Sequence, residues 1–592
     1  MEGSVKEREG ARPRALDAAT ICEAFQLTVE DHPERVAIRT QDDSVSLTWA
    51  EYGQRAREVA AGLAALGVEK GDTVGVMLTN RPEFHFCDAG AMHLGACPYS
   101  IYNTYSPEQI EHLVEDAGNT VLITEQAFAE RVLEVQGKDN ALEHVVVIDG
   151  DTPDDAISLD ELIAKGEDDF DFDAAWKAVE PGDLLTLIYT SGTTGHPKGV
   201  QLTHDNLASC VRSYDEIIDF PGDGRVISWL PMAHIAERNC SQYLPIMLGF
   251  TTTDCPNAKE VMGYVAQVHP TWFFAVPRIW EKLKSFIETG VENEQDEAKK
   301  AGTQKAFAVA LKRVEAIQAG EEVPEELEQA YQQADEQVFS KVRALIGLDQ
   351  VESVNVGAAP TPPEVIKFFH ALGIPLAELW GMSETTGAGT CNPPEKIKIG
   401  TVGPPAPGVD IKLAEDGEVL IKGPIIMSGY RNLPDKTDET LTDDGWLMTG
   451  DIGEFDDDGY LKIVDRKKEL IINAAGKNMS PANIESVVKS ASPLIGQVAA
   501  IGDQRSYNVA LITLDPDAAG DKDPSDPDVE KAVADAVEEA NQKLARVEQI
   551  KKFKLLHEEW QPGGDELTPT MKLKRKPIAE KYSEEIESLY SG

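Results

Sequence analysis

Apolar positions recur at helical spacing through residues 52–66 and are followed at once by the apolar run 72–78, which reads as a strand. The same alternation continues. A helical segment ending near Asp116 leads into the strand-like run 120–124, and a second β-favouring run lies at 145–148. Strands alternating with helices predict α/β layers around a mostly parallel sheet. The acidic stretch 151–173 reads as a solvated connection with a short helix at 159–164, and 183–189 is again an apolar β-favouring run. Residues 294–346 change character. They are rich in Glu, Gln, Ala and Lys, with a turn at 320–324, and predict two exposed helices forming a hairpin that stands off the core. The runs 410–413 and 418–421 and the Gly/Asp-rich segment 423–476 predict antiparallel β structure. Beyond Arg466, strands at 498–501 and 509–514 with intervening helices make a unit of about 125 residues, large enough to fold as its own lobe. The fold class expected is therefore α/β: a large N-terminal domain, 1–465, of layered α/β subdomains with a β-rich portion, and a small α+β C-terminal domain, 466–592.

Composition narrows the partners. At 592 residues and 42% hydrophobic the chain can bury a large core. Its seven cysteines are scattered, with no Cys-x-x-Cys pair, and read as reduced, buried thiols of a cytosolic protein. The polar, mixed-charge N-terminus predicts no signal peptide, and no apolar run approaches the ~18 residues of a membrane span. The formal net charge of −48 argues against a nucleic-acid partner and fits a high-salt setting or simple solubility. The charge is uneven: residues 466–592 hold 18 Lys/Arg against 22 Asp/Glu, which leaves −44 for the first 465 residues. Basic runs at 466–468, 551–554 and 572–576 make the C-terminal part a candidate handler of anions.

The strongest chemical signal is Tyr189-Thr-Ser-Gly-Thr-Thr-Gly-His-Pro-Lys-Gly-Val200. The hydroxyls of Thr190, Ser191, Thr193 and Thr194, the permissive backbone of Gly192 and Gly195, and the cation of Lys198 are what a phosphate-holding loop needs. It lacks the Gly-Lys-Ser/Thr ending of a Walker A loop, so no hydroxyl beside the lysine is poised for magnesium. Other polar motifs follow apolar strands in order: Leu230-Pro-Met-Ala-His234, Gly357-Ala-Ala-Pro360, Trp380-Gly-Met-Ser-Glu-Thr-Thr-Gly387, Thr449-Gly-Asp451, Asp465-Arg-Lys-Lys-Glu469 and Leu567-Thr-Pro-Thr-Met-Lys572. Taken singly, Trp380 is an ordinary core residue, Glu384 a helix-end carboxylate, Asp451 a turn residue, Lys572 one of a solvated charge run and His234 a hydrogen-bonded core imidazole.

Together, the motifs resemble the AMP-forming, acid-activating family of acyl-CoA synthetases, luciferases and peptide-synthetase adenylation domains (the ANL superfamily), over about residues 20–585. Pro277-Arg-Ile-Trp-Glu-Lys282 and Ile501-Gly-Asp-Gln-Arg505 look like the long-chain branch, and the 230–237 and 471–476 segments look most like its bubblegum-type members. The resemblance implies ligation of a long-chain fatty acid to coenzyme A through an acyl-AMP, with ATP and Mg²⁺ required. It sets residues 190–198 over the β- and γ-phosphates, Glu384 on magnesium and Thr385 near the α-phosphate, with Gly381 and Ser383 among the nucleotide-binding residues. Asp451 and Arg466 match the ribose contacts, and Trp380 with Gly357, Ala358 and Ala359 the adenine pocket. Lys572 matches the lysine bridging carboxylate and α-phosphate, Lys468 the hinge of a mobile small lobe, and Gly476 the loop used in the CoA step. His234 corresponds to a position near the acyl end of the site. Asn473 stands where several aryl-acid relatives have lysine, in a loop one residue longer here, which weighs against an aryl substrate. An acyl-AMP ligase that serves a carrier protein, an aryl-acid CoA ligase and a non-catalytic acyl-binding relative are the competing readings. The expected setting is cytoplasmic, with at most transient contact with a membrane surface.

Overall fold

The computed structural model describes residues 12–591 except 191–195, 219, 475–476, 521 and 569–570. Ser191, Gly192, Thr193, Thr194, Gly195 and Gly476 therefore lie outside the described residues.

The predicted alternation builds a five-stranded, all-parallel sheet in the order Cys97–Ser100, Thr73–Met77, Val121–Thr124, His144–Val147, Ile157–Ser158. Its helices begin where the sequence supplies caps. Thr48 and Glu51 form a capping box ahead of Trp49–Ala65, and Ser106 and Gln109 form another ahead of Pro107–Ala117, which ends on Gly118 in the left-handed region. A second sheet runs Arg225–Ser228, Thr251–Asp254, Val36–Thr40, parallel, with Ser46–Thr48 as an antiparallel edge. A third runs Trp272–Ala275, Ser353–Val356, Leu376–Trp380, parallel, closed by antiparallel Thr390–Cys391. The motif loops leave the C-terminal ends of these strands: Trp229–His234 follows Ser228, Gly357 follows Val356, and Gly381 follows Trp380. That edge of an open α/β sheet is where ligands bind.

Leu184–Thr190 and Lys198–Thr203 are antiparallel, with Thr190 opposite Lys198, so the strands on either side of the phosphate-type loop pair with each other. Gly429–Tyr430 adds a third strand beside Lys198–Thr203. The expected antiparallel region is a four-stranded sheet, Asp410–Leu413, Glu418–Lys422, Leu447–Phe455, Leu461–Arg466. In the C-terminal part, Ile495–Ile501, Asn508–Leu514 and Ile550–Leu556 form a sheet against the helices Pro481–Ser490 and Pro527–Lys543. Its two buried clusters draw only on residues from Ile471 onward.

One expectation is corrected. The helices of 294–346 do not stand off the core. Glu297–Gln318 buries Ala306, Ala310 and Val314, and Phe307 stacks on Phe368 with ring centroids 5.0 Å apart. Glu325–Ala334 continues through a π-turn, Asp335–Phe339, into Ser340–Ile346, with Phe339 wholly buried. Sparse apolar residues, widely spaced on long polar helices, hid this seam from periodicity. All seven cysteines are free thiols, six of them buried and Cys240 partly so. No helix among the described residues is long and apolar enough to cross a membrane.

Candidate active site

The floor of the cleft is set by backbone that tolerates no side chain. A Cβ on Gly381 would lie 2.4 Å from the carbonyl oxygen of Gly387, and one on Gly357 would lie 2.9 Å from Leu379 Cδ1. Ala358 sits at φ 68°, in the left-handed region that costs a non-glycine residue energy, and Thr386 at φ 56°. The Thr386 turn is tied down on three sides. Its hydroxyl donates to the Ile425 carbonyl at 2.6 Å, and its own carbonyl accepts from Asn239 Nδ2 at 2.7 Å and from Cys210 Sγ at 3.4 Å.

Glu384 lies in the short 3₁₀ turn Ser383–Thr385 and is buried, 7% exposed. Its Oε1 accepts from the Tyr430 hydroxyl at 2.7 Å. No lysine or arginine among the described residues comes within 4.0 Å of its carboxylate. A buried anion whose second oxygen meets no ion-pair partner among the described residues fits a hard divalent cation that completes its shell with water and phosphate oxygens. No group of three or more metal-ligating side chains occurs among the described residues. Thr385 is fully buried and its hydroxyl turns back onto Met382, accepting from its N–H at 3.0 Å and donating to its carbonyl at 3.1 Å. In this arrangement the Thr385 side chain braces the turn.

Lys198, the first residue of its strand, extends over the Tyr430 ring, its ammonium 3.9 Å from the centroid. Burial lowers its pKa, Glu384 opposes that shift, and nearby Lys468 adds to it. Lys468 itself is exposed. Asp451 is 4% exposed and pairs across the strands with Arg466. Trp380 Nε1 donates to its Oδ2 at 2.8 Å, and Arg466 Nε lies 3.1 Å from its Oδ1. A carboxylate has about four acceptor sites, so both oxygens can still take hydroxyl donors. Burial raises the pKa of Asp451, with Arg466, Trp380 and Lys572 pulling it down.

Lys572 arrives from the other end of the sequence. Water reaches its side chain, yet the protein packed around it lowers its pKa to about 8, aided by Arg466 and opposed by Asp451, Glu469 and Glu384. The same charge is felt by His234, whose pKa burial and Lys572 together lower to about 3. His234 Nδ1 accepts from the Ala236 N–H at 3.2 Å and caps the turn that starts there. The structure thus brings Lys198, Glu384, Asp451, Arg466 and Lys572 to one cleft, with His234 at its edge. The small lobe is pinned in this pose by ion pairs to the helix Pro277–Glu292: Arg278 with Asp515, Lys282 with Asp517 at 2.6 Å, and Glu281 with Lys489 at 3.4 Å.

Family models of the AMP-binding enzyme and of its C-terminal domain match residues 25–431 and 468–592. The chain belongs to the AMP-binding enzyme family. Among its relatives is fadD11 of Mycobacterium tuberculosis, named as a fatty-acid–CoA ligase, 49% identical over 449 residues that span 74% of this chain and 79% of that one. Another is the bubblegum-type long-chain-fatty-acid–CoA ligase ACSBG2 of Xenopus laevis, 31% identical over 100% of this chain and 86% of its own. The fold of an anthranilate CoA ligase, solved with anthranoyl-AMP, superposes with a TM-score of 0.76 at 20% identity, covering 97% of this chain and 100% of that one.

Within this AMP-binding enzyme, three features of the cleft escape sequence reasoning. Tyr430 touches Lys198 and Glu384 but sits 46 residues from Glu384, in a strand of two residues. Glu237 accepts from the N–H groups of Trp229 and Leu230, both at 3.0 Å, so it fixes the segment leading to His234; burial raises its pKa to about 7. Its signal was only a glutamate three residues past His234. The Arg278–Asp515 pair joins residues 237 positions apart, and nothing local marks it.

Proposed function

We propose that this AMP-binding enzyme is an ATP-dependent long-chain fatty acid–CoA ligase that acts through an acyl adenylate, releasing pyrophosphate and then AMP. The observation that carries the reading is the convergence of Lys572 from the small lobe with Asp451, Arg466 and Glu384 of the large one. Carboxylate attack on an α-phosphate brings anions together, and the barrier falls when fixed cations surround them. Lys572 would bridge the two reacting groups, while Lys198 and the 190–198 loop hold the outgoing phosphates. Asp451, with Arg466, would take the ribose hydroxyls. Trp380 and the 357–359 backbone would flank the adenine. The Gly381–Thr385 turn would carry the α-phosphate contacts and present Glu384 to magnesium, which screens phosphate charge when bound. His234, neutral throughout the working pH range, would line the acyl end of the site. The small lobe, 466–592, would then turn about Lys468 from the large lobe, 1–465, and bring the 476 loop to the site for thiolysis by CoA.

The ligase names of the relatives support a fatty-acid substrate. The reading further assigns the protein to the cytoplasm, with fatty acid taken from water or by brief contact with a membrane surface. The test is thioester formation from straight-chain acids of increasing length, with and without CoA. Each buried CH₂ is worth ~0.8 kcal/mol, so kcat/KM should climb steeply until the acyl site is full. A flat profile would remove the long-chain assignment. Stable acyl-AMP that turns over only with a carrier protein would make the carrier's thiol, in place of CoA, the acceptor.

A further inference from the structure

Lys198 and Glu384 carry opposite charges, feel one another's field, and still do not pair: no contact within 4.0 Å joins them. In an enclosed cleft two such groups attract strongly. What separates them is Tyr430, which is 5% exposed. Its ring face receives the Lys198 ammonium at 3.9 Å, and its hydroxyl donates to Glu384 Oε1 at 2.7 Å. The backbone that carries the ring is tied to its neighbours. Tyr430 pairs with Val200 across the strands, its N–H donates to Thr437 Oγ1 at 2.9 Å, and the Arg431 N–H donates to the Gly199 carbonyl at 2.8 Å. The same segment also reaches the Glu384 turn, with the Met427 N–H donating to the Glu384 carbonyl at 2.9 Å.

We infer that Tyr430 is a positioning residue that insulates the phosphate-binding ammonium of Lys198 from the metal-binding carboxylate of Glu384, so that both stay available to the metal–triphosphate complex. The hydroxyl occupies one carboxylate oxygen and leaves the other for the cation; the ring holds the ammonium without neutralising it. Remove the ring, and lysine and glutamate pair with each other, so that each is lost to the ligand. The inference rests on the proposed role of Glu384 and is tested so that the two can fail separately.

The experiment titrates Mn²⁺ into enzyme with ATP, read by loss of the free-ion electron paramagnetic resonance signal, for wild type, Glu384→Gln, Tyr430→Phe and Tyr430→Leu. Reactivity of Lys198 toward an amine-acylating reagent as a function of pH, read by peptide mass spectrometry without ATP, follows the ammonium directly. Tyr430→Phe keeps the ring and loses the hydroxyl. Mn²⁺ affinity should fall about 10–100-fold, the usual cost of losing a support to a metal ligand, with the Lys198 profile in place. Tyr430→Leu should weaken Mn²⁺ equally or more and also move Lys198 reactivity to higher pH, as the freed ammonium pairs with Glu384. The double change Tyr430→Leu with Glu384→Gln should reverse that pH shift. If Glu384→Gln leaves Mn²⁺ affinity untouched, the metal role of Glu384 falls. If Glu384→Gln weakens it and Tyr430→Phe does not, only the role of Tyr430 falls. Should Tyr430→Leu fail to fold, Tyr430→Met replaces it in both measurements, and an unmoved Lys198 profile in a folded ring-less variant overturns the insulating role of Tyr430.

Discussion

Replacing Lys572 by alanine isolates one cation of the cleft. Its side chain makes no ion pair among the described residues, so its removal takes away mainly a field, and thermal unfolding should move little. A unit charge about 4 Å from a phosphate oxygen, at an effective dielectric constant near 20, is worth about 4 kcal/mol. Loss of a single fixed donor from an oxyanion site costs about 10²–10³-fold in rate, and the same range is expected here. The assay compares two half-reactions. Acid-dependent exchange between ATP and labelled pyrophosphate should drop by that factor. Thioester formation from supplied acyl-AMP and CoA should change little, because the proposed turn of the small lobe carries Lys572 away from the site. A second handle comes from its pKa. Because the protein packed around it and the charge of Arg466 lower it to about 8, the ammonium is charged below pH 8 and loses its proton as pH rises through 8. Exchange measured as kcat/KM should therefore fall on that alkaline limb, and Lys572→Arg, whose guanidinium keeps its charge, should lack the limb at whatever rate remains. Equal loss of both half-reactions in Lys572→Ala, or a wild-type limb above pH 10, would refute the reasoning.

The interlobe ion pairs make a separable prediction: Arg278→Gln should slow adenylation about fivefold, the ~1 kcal/mol of a partly buried pair, and leave thiolysis unchanged or faster, as read by the same two assays. With His234 held neutral down to about pH 3, the rate profile of adenylation should show no histidine limb between about pH 5.5 and 7.5. A limb there that disappears in His234→Gln would overturn its placement. With a net charge of −48, the protein should not sediment with anionic vesicles at moderate salt, and firm binding would contradict the proposed transient surface contact.

Much of this architecture was legible because its signals are local. The apolar runs at 72–78, 120–124 and 183–189 became the strands Thr73–Met77, Val121–Thr124 and Leu184–Thr190, and the polar motifs landed where strand ends place them. Asp451 and Arg466 looked like separate motifs and proved to be cross-strand partners, a register that sequence spacing alone does not reveal. What stayed hidden depends on packing between distant segments. Phe307 finds Phe368 through tertiary contact, so the helices of 294–346 were mistaken for a free-standing hairpin. Tyr430 lies in an unremarkable Met-Ser-Gly-Tyr run and gains its place only by lining up beside Lys198–Thr203. Charge counting found a near-neutral C-terminal unit but could not show that its Asp515 and Asp517 would face Arg278 and Lys282.

The phosphate-type loop joins two antiparallel strands, so it is not followed by a helix whose dipole would meet the phosphates. The positive potential of the cleft is then built from discrete side chains, and one of them rides on the lobe proposed to move. If that lobe turns as proposed, the site would surrender a unit of positive charge just after pyrophosphate leaves. A returning pyrophosphate would meet a weaker field than the one that held it, while the adenylate would keep the ribose contacts proposed for Asp451. Leaving the charge to a lysine on a movable lobe would give the two-step reaction a one-way character before any thiol arrives.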